Sequence, residues 1–579
     1  MFAPSAGAWT PFNSQSAPTG KASPPQVLRR AEQAFTKGGD LSPLLRRLAL
    51  DLPYLKGAER TRARRLLARP TDGSADPQQN GWSAPEADAS PLCSQHFCVH
   101  WVETSSDAPP LADGNHNGVP DWVETVSATA EHVFSVENGQ LGWRTPRGDG
   151  SEGGGSNLTD IYLEDVGGSG IYGYAAPDPQ PQRSSLFAYL VLDNDFSDAQ
   201  FPGYSSPVDP LDVTLAHEYN HVLQFNYDSN EDTWMLESTA VWMEGKVYDP
   251  VHDYLQYLPG WTQLTAQPIT SFNGDNPNDR TNVKVYGSSV WNKWLDARYG
   301  EAIVRNAWED SVQANSFAPR AYDVTIRQHG GGGFSKEFSQ FAAATAEWQA
   351  QNSGFPEGSL YPDVQRTGVL DVNGAPHTAR LDHTTFAIAD VPVSSAPRIR
   401  LAMSAPSGTS AAVALVGLTG GSPGGTLVEV EHFLGKGGNG TVTLENPGNL
   451  TRLSAVLVNA DTKHGAFSQV LGDYPYRRNN QVIYTHASTD FTAPRVKGGT
   501  TAPRKVTLTF SEPVLGVSGH SLKIAGVSGK VKFTPGSRTA TFVPRQALKA
   551  GRRYRVKLSS AITDLTLNRL HAITLTFKA

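Results

Sequence analysis

The chain has 579 residues, of which 39% are hydrophobic, 9% aromatic and 18% charged; at about 100 to 200 residues per domain that is three or four domains, and general disorder is excluded. No stretch reaches the ~18 uninterrupted apolar residues of a membrane helix, and no hydrophobic segment of signal-peptide type opens the chain, so a membrane span is excluded. Net charge is −7, but residues 21–70 hold 12 Lys or Arg against 4 Asp or Glu, which makes that segment +8 and the remainder −15. The basic run lacks interleaved aromatics and the body is acidic, which argues against nucleic acid and for a basic arm lying on an acidic body.

In chain order, residues 1–24 are rich in Ser, Ala, Pro and Gly and read as a disordered N-terminus. Residues 25–75 read as a basic helical segment. Leu28, Ala31, Ala34 and Phe35, then Leu41, Leu45, Leu48 and Leu52, recur at helical spacing, with Gly38 and Gly39 between the two runs. Ser42 and Pro43 suit an N-cap and first helical residue, and Pro53 ends that helix. The opposite charge of this arm makes it a candidate propeptide. Residues 76–96 read as a linker rich in Pro, Asp, Ser and Gln. Cys93 and Cys98 are the two cysteines of the chain; so close together, they suggest a small disulfide loop and an oxidising compartment, two unpaired buried thiols being the alternative.

Residues 97–365 read as a mixed α+β domain. Candidate strands are 97–104, 160–166 and 186–193, with helices at about 122–136, from Asp209 and Pro210, at 233–247, 286–311 and 335–351. Residues 366–488 show short apolar or alternating runs between Gly, Pro and Asn turns, the pattern of a β-sandwich. Residues 489–579 alternate more regularly: Val506, Leu508 and Phe510; Tyr554, Val556 and Leu558; Ile573, Leu575 and Phe577. With TFSEPV, TATFVP, the L-x-x-G-x-x-Y run at 548–554 and SSAITD, this segment resembles the bacterial Ig-like domains of surface-layer and secreted proteins. That resemblance implies a spacer or adhesion module.

His217, Glu218, Tyr219, Asn220 and His221 form H-E-x-x-H on the helix that follows Pro210. Histidines four apart share one helix face, so both imidazoles can bind one Zn²⁺ with Glu218 beside it as proton acceptor. At this composition the expected number of chance matches is about 0.02. A catalytic zinc takes three protein ligands and keeps a position for water, so a third donor must come from a neighbouring element. The next helix carries WMLESTAVWME, residues 234–244.

Here the sequence resembles the gluzincin metallopeptidases, whose third ligand is a Glu on the helix after the active-site helix. The resemblance implies Glu237 as ligand, with Glu244, two turns on, as an outer-shell carboxylate or as the ligand itself. It also implies that Tyr286, opening a later helix, donates to the oxyanion; a Tyr that caps the helix is the alternative. WVET, NGVPD, YGY, VLDNDF and AHEYNH follow one another as in a secreted bacterial family of this clan. A zincin-type domain, two β-sandwich domains and an extracellular or surface location are thus expected.

A second metal is expected at D-x-[DN]-x-[DN]-G-x₅-E. Asp113, Asn115, Asn117, Asp121 and Glu124, with the carbonyl of Val119, supply the oxygens that surround Ca²⁺ in such loops. An Asn-Gly turn capping the next helix is the metal-free alternative. The expected function is zinc-dependent hydrolysis of protein or peptide substrates by a secreted endopeptidase, with cell-surface or glycan contact through the C-terminal β-domains. The rival is a surface adhesion protein whose peptidase-like domain binds zinc without catalysis.

Overall fold

The protein was analysed as a computed structural model that describes residues 23–71, 81–150, 156–180, 185–271, 280–312, 318–435, 438–462 and 481–579. Of the stretch 1–24 expected to be disordered, residues 1–22 lie outside the described residues, and its end is corrected: Ser23 caps the first helix, which begins at Pro24.

The basic arm folds into α1 (Pro24–Lys37), α2 (Leu41–Asp51) and α3 (Gly57–Leu66). Between α1 and α2 the chain reverses at Gly38, whose φ of +74° L side chains rarely adopt. A Cβ there would also lie 2.6 Å from the carbonyl oxygen of Ser169. Glycine is therefore required both by the turn and by its close approach to the body. The helix begins at Leu41, one residue before the expected cap, because the Ser42 hydroxyl is committed to the body rather than to the helix end.

Five strands form the central sheet: β1 (Leu92–Cys93), β2 (Phe97–His100), β3 (Thr159–Glu164), β4 (Gly173–Pro177) and β5 (Ala188–Asp193), in the order β1-β2-β3-β5-β4. β2, β3 and β5 run parallel, and β4 is an antiparallel edge strand. Cys93 and Cys98 are cross-strand partners and form a disulfide. Side chains alternate across the sheet as strand geometry dictates. Ile161, Leu163, Ala175, Leu190 and Leu192 face one core, with α4 (Asp121–Phe134) and α5 (Val208–Asp228) over it. Tyr162, Tyr174, Tyr189 and Val191 face a second core completed by Leu28, Leu45 and Leu48 of the arm. Both faces of the sheet are thus covered, and the arm supplies one cover.

Arg69 fastens the end of the arm. Its guanidinium reaches Asp149, at 2.7 Å, Asp160 and Asp178, at 2.8 Å, with 1% of its side chain exposed. Removing one partner of a buried ionic cluster leaves the others uncompensated. Arg69→Ala is expected to lower the unfolding free energy by about 3 to 5 kcal/mol, measurable by urea denaturation.

The expected linker is corrected from residue 81 onward. Trp82 is buried in the second core and donates its Nε1–H to the Leu163 carbonyl at 2.9 Å, and Glu86 bridges to Val102. One large aromatic side chain outweighs a polar composition.

The helical part continues with α6 (Thr233–Val247), α7 (Leu258–Thr262), α8 (Arg280–Gly287), α9 (Ser289–Tyr299), α10 (Ala302–Ser311), α11 (Ala318–Gln328) and α12 (Phe334–Thr345). α11 was not foreseen; it buries the short stripe Ala318, Ala321, Tyr322, Thr325 and Ile326. No helix among the described residues is long and apolar enough to cross a membrane.

Two four-stranded sheets follow. Strands β6 (His377–Leu381), β7 (Thr385–Asp390), β8 (Arg398–Ala405), β9 (Ala411–Thr419), β10 (Thr426–Gly435), β11 (Gly438–Glu445), β12 (Arg452–Asn459) and β13 (Gln481–Ser488) pair as β10-β9-β12-β7 and β11-β8-β13-β6. They enclose Leu401, Val413, Leu415, Leu457 and Ile483. The outer face of the first sheet, with Phe386, Ile388, Val416 and Val456, joins the core of the helical part beside Trp261 and Phe338. Buried Glu347 pairs across this junction with Arg366, at 3.2 Å, and Arg452.

The last nine strands are β14 (Val496–Ala502), β15 (Lys505–Phe510), β16 (Val514–Leu515), β17 (Leu522–Ile524), β18 (Gly529–Phe533), β19 (Thr539–Pro544), β20 (Arg553–Leu558), β21 (Thr563–Asp564) and β22 (Ile573–Lys578). They form sheets β14-β15-β19-β18, β17-β20-β22 and β16-β21. The inward residues of β15 and β20 are buried as their alternation predicts. Those of β22 are not, Ile573 being 39% exposed, because β22 is an edge strand.

Candidate metal centre

α5 and α6 form an antiparallel hairpin through the short turn at 229–232, which brings His217 and His221 against Glu237. The hairpin is apolar almost all round, with Leu211, Leu215, Val222 and Phe225 on one helix and Trp234, Leu236, Val241 and Trp242 on the other. Such helices belong inside a core, and their polar side chains are held where solvent does not reach.

His217 Nε2 lies 3.1 Å from Glu237 Oε2, and His221 Nε2 lies 3.4 Å from Glu237 Oε1. Ligand atoms of the three side chains all fall within 4.8 Å of one another, and all three residues are buried. The opposite ring nitrogens are already engaged. His217 Nδ1 faces Glu244 Oε1 at 2.6 Å, and His221 Nδ1 faces Gln224 Oε1 at 2.8 Å. Gln224 in turn donates to Asn220 and to the Leu236 carbonyl, and Asn220 donates to Glu137. The carboxylate and carboxamide acceptors take Nδ1–H on both rings, which leaves both Nε2 atoms on the side of Glu237. Glu244, left open between two roles by its sequence position, therefore acts on the far side of His217, and Glu237 stands on the donor side.

Burial opposes ionisation of Glu237, but the two imidazoles beside it, His221 first, overcome it and hold the carboxyl at about 2. Burial dominates at Glu244 and pushes it up to about 8 despite its bond to His217. For His217, burial favours the neutral ring, yet Glu237 and Glu244 raise its pKa well above the ordinary value. The pocket thus favours positive charge between its carboxylates.

Two donor atoms test whether these residues fit a metal. His221 Nε2 and Glu237 Oε1 are shielded from solvent and have no hydrogen-bond partner. Buried polar atoms are ordinarily satisfied. Two imidazole nitrogens and a carboxylate oxygen facing one point are the N₂O donor set of a catalytic zinc.

Glu218, between the histidines on α5, points instead to a cavity of about 320 Å³ lined also by His217, Tyr257 and Tyr286. The Tyr286 ring centroid is 6.0 Å from that of His217 and 5.0 Å from that of Tyr257, on which it stacks. Burial and the nearby Asp40 and Glu237 charges raise the Tyr286 pKa well above its ordinary value, so its hydroxyl is held as a donor. Tyr286 lies near the end of α8, ahead of α9, whose N-cap is Ser288, so it neither opens nor caps the later helix as expected.

Residues of the arm that sequence reading did not connect to this site enter the same cavity. Asp40 and Ser42 line it, and the Ser42 hydroxyl donates to Glu218 Oε2 at 2.7 Å. The motif on α5 gave no signal for them, because they lie some 175 residues away in sequence, as the separation of 176 between Ser42 and Glu218 shows. The opposite charge of the arm was the available signal.

The calcium-type loop lies apart from this centre, ahead of α4. Asp113 accepts from the Asn117 and Gly118 amides at 3.2 and 2.9 Å, and Asp121 accepts from the Gly114 amide. Asn115 and Asn117 donate their side-chain amides to Glu124 at 2.9 and 2.7 Å. The loop is thus closed with its expected donor residues drawn together. Backbone hydrogen bonds, that of Gly118 first, lower the Asp113 pKa. The Val119 amide is tied to Asn117 Oδ1 at 2.9 Å, so the two carboxamides would swing about χ2 to offer oxygen to a cation.

The family model for a bacterial Ig-like domain matches residues 488–579. No curated protein matches the chain. Among solved structures, the glycoside hydrolase domain of Endo-D from Streptococcus pneumoniae R6 is 11% identical with a TM-score of 0.18, covering 35% of this chain and 31% of its own. A β-glucuronidase from Bacteroides uniformis is 14% identical with a TM-score of 0.12, covering 33% of this chain and 26% of its own. The chain thus spans about a third or less of each of these proteins, and neither likeness describes its fold. Residues 488–579 form a bacterial Ig-like domain, a kind found in bacterial surface and extracellular proteins.

Proposed function

We propose that residues 97–365 form a zincin-type metallopeptidase domain and that the protein is a secreted or surface-associated zinc endopeptidase. The observation that carries this reading is the convergence of His217, His221 and Glu237 from two helices, with His221 Nε2 and Glu237 Oε1 buried and unpartnered. These residues would hold Zn²⁺, whose Lewis acidity lowers the pKa of water and polarises a carbonyl.

The protein's own groups then have assigned tasks. Glu244 and Gln224 fix the two imidazoles by their Nδ1–H bonds. Glu218 takes the proton of the attacking water on its carboxylate and delivers it to the leaving amine. Tyr286, held protonated, donates its O–H to the oxygen that gains charge as the scissile carbonyl becomes tetrahedral. The surrounding apolar helices exclude bulk water and strengthen each of these interactions. Casein cleavage by the zinc-reconstituted chain, before and after limited proteolysis of the arm, tests the reading. Cleavage abolished by chelator supports it, and zinc binding without cleavage in either form supports the adhesion reading, which the Ig-like domain favours.

We also propose that the loop at 113–124 holds a structural Ca²⁺. A ligand bound only by the folded state stabilises it by mass action. Chelation of calcium in zinc-replete buffer is expected to lower the melting temperature in a scanning-calorimetry experiment, and an unmoved transition would refute the site.

A further inference from the structure

The cavity in front of the proposed metal ligands is lined by His217 and Glu218 of α5, Tyr286 of α8 and other residues of the body, and by the arm residues Gly39–Ser42. The arm does not merely lie over the opening. The Ser42 hydroxyl donates to Glu218 Oε2 at 2.7 Å and accepts from the backbone amide of Ala175 at 2.9 Å. Ala175 belongs to β4, the edge strand of the sheet, which is buried here; the backbone of an edge strand is the surface to which an extended peptide would add. One side chain therefore occupies both the proposed base and the adjoining edge-strand donor. Further along α2, Arg46 donates to the carbonyls of Ser229 and Glu231 in the turn between the two ligand helices, at 3.3 and 2.6 Å.

Asp40 stands at the N-terminal end of α2, where the Gly38 turn directs the chain into the cleft. Its carboxyl group lines the cavity with Tyr286 and lies in electrostatic range of Glu237, Glu218 and His217. Its Oδ2 is shielded from solvent and has no hydrogen-bond partner. It joins His221 Nε2, Glu237 Oε1 and Glu244 Oε2, which are likewise buried in this site without a hydrogen-bond partner. Like charges gathered out of water repel unless a cation joins them. We propose that Asp40 is the arm's own ligand to the metal: it takes the coordination position reserved for water, engages Tyr286, and with Ser42 holds the enzyme latent.

The proposal rests on the zinc reading above, and the test separates the two. Full-length protein is loaded with Co²⁺ and its metal content, visible spectrum and affinity for acetohydroxamate, a chelating probe small enough for the cavity, are measured for wild type, Asp40→Ala and Asp40→Asn. All three are expected to hold one Co²⁺ per chain, with both variants differing from wild type in the visible bands. Both variants are expected to bind acetohydroxamate at least about tenfold more tightly, because apparent affinity scales with the fraction of sites open to the probe. Matched melting curves and the agreement of the two variants exclude misfolding. Identical spectra and affinities in the three proteins, each holding Co²⁺, would overturn the proposal and leave the metal site standing. Failure of wild type to bind Co²⁺ would remove the metal site and the proposal together.

Discussion

Glu218→Gln is expected to retain zinc at the wild-type level and to lose peptide hydrolysis by about 10²- to 10⁴-fold in kcat/KM, the range general acid–base groups contribute. The substitution is nearly isosteric, and its amide oxygen can still accept from Ser42, which now bonds Glu218 Oε2. Folding and arm docking should therefore survive, while the side chain can no longer take up a proton. Casein cleavage is compared between the variant and the parent chain in the same state of arm processing, alongside zinc content. A variant with most of the parental rate would reassign the base.

His221→Ala is expected to abolish stoichiometric zinc binding and to destabilise the fold. The imidazole is fully buried, and its removal leaves a cavity and deprives Gln224 Oε1 of its partner. Because metal binding stabilises only the state that has the site, zinc should raise the melting temperature of wild type and leave that of the variant unchanged. Metal analysis after dialysis, with thermal scans with and without zinc, reads both effects. One zinc retained per chain in the variant would place the site elsewhere.

The ligand helices were legible because their determinants are local. H-E-x-x-H is a spacing within one helix, and Asp232 and Thr233 open the next helix where the sequence places it. What Glu237 and Glu244 each do was not legible, since seven residues along a helix leave both on one face, and the choice is made by how α5 crosses α6. The Ig-like segment was legible from its period of two, except at β22, where edge position cannot be read from alternation. The linker was misjudged because composition averages away a residue such as Trp82. The arm's amphipathic stripes predicted that it packs, and its charge predicted an acidic partner; Arg69 among Asp149, Asp160 and Asp178 is that pairing. Which of its polar side chains would enter the cleft depends on a chain reversal at Gly38 and a contact bridging 176 positions, and no sequence period encodes either.

The central claim, that two imidazoles and a carboxylate hold one divalent ion, is tested most directly by the X-ray absorption spectrum of zinc bound to the full chain. The expected spectrum shows two histidine nitrogens at about 2.0 to 2.1 Å with the remaining shell made of oxygen at about 2.0 to 2.2 Å. A spectrum without imidazole scattering, or protein that retains no zinc through dialysis, would contradict it.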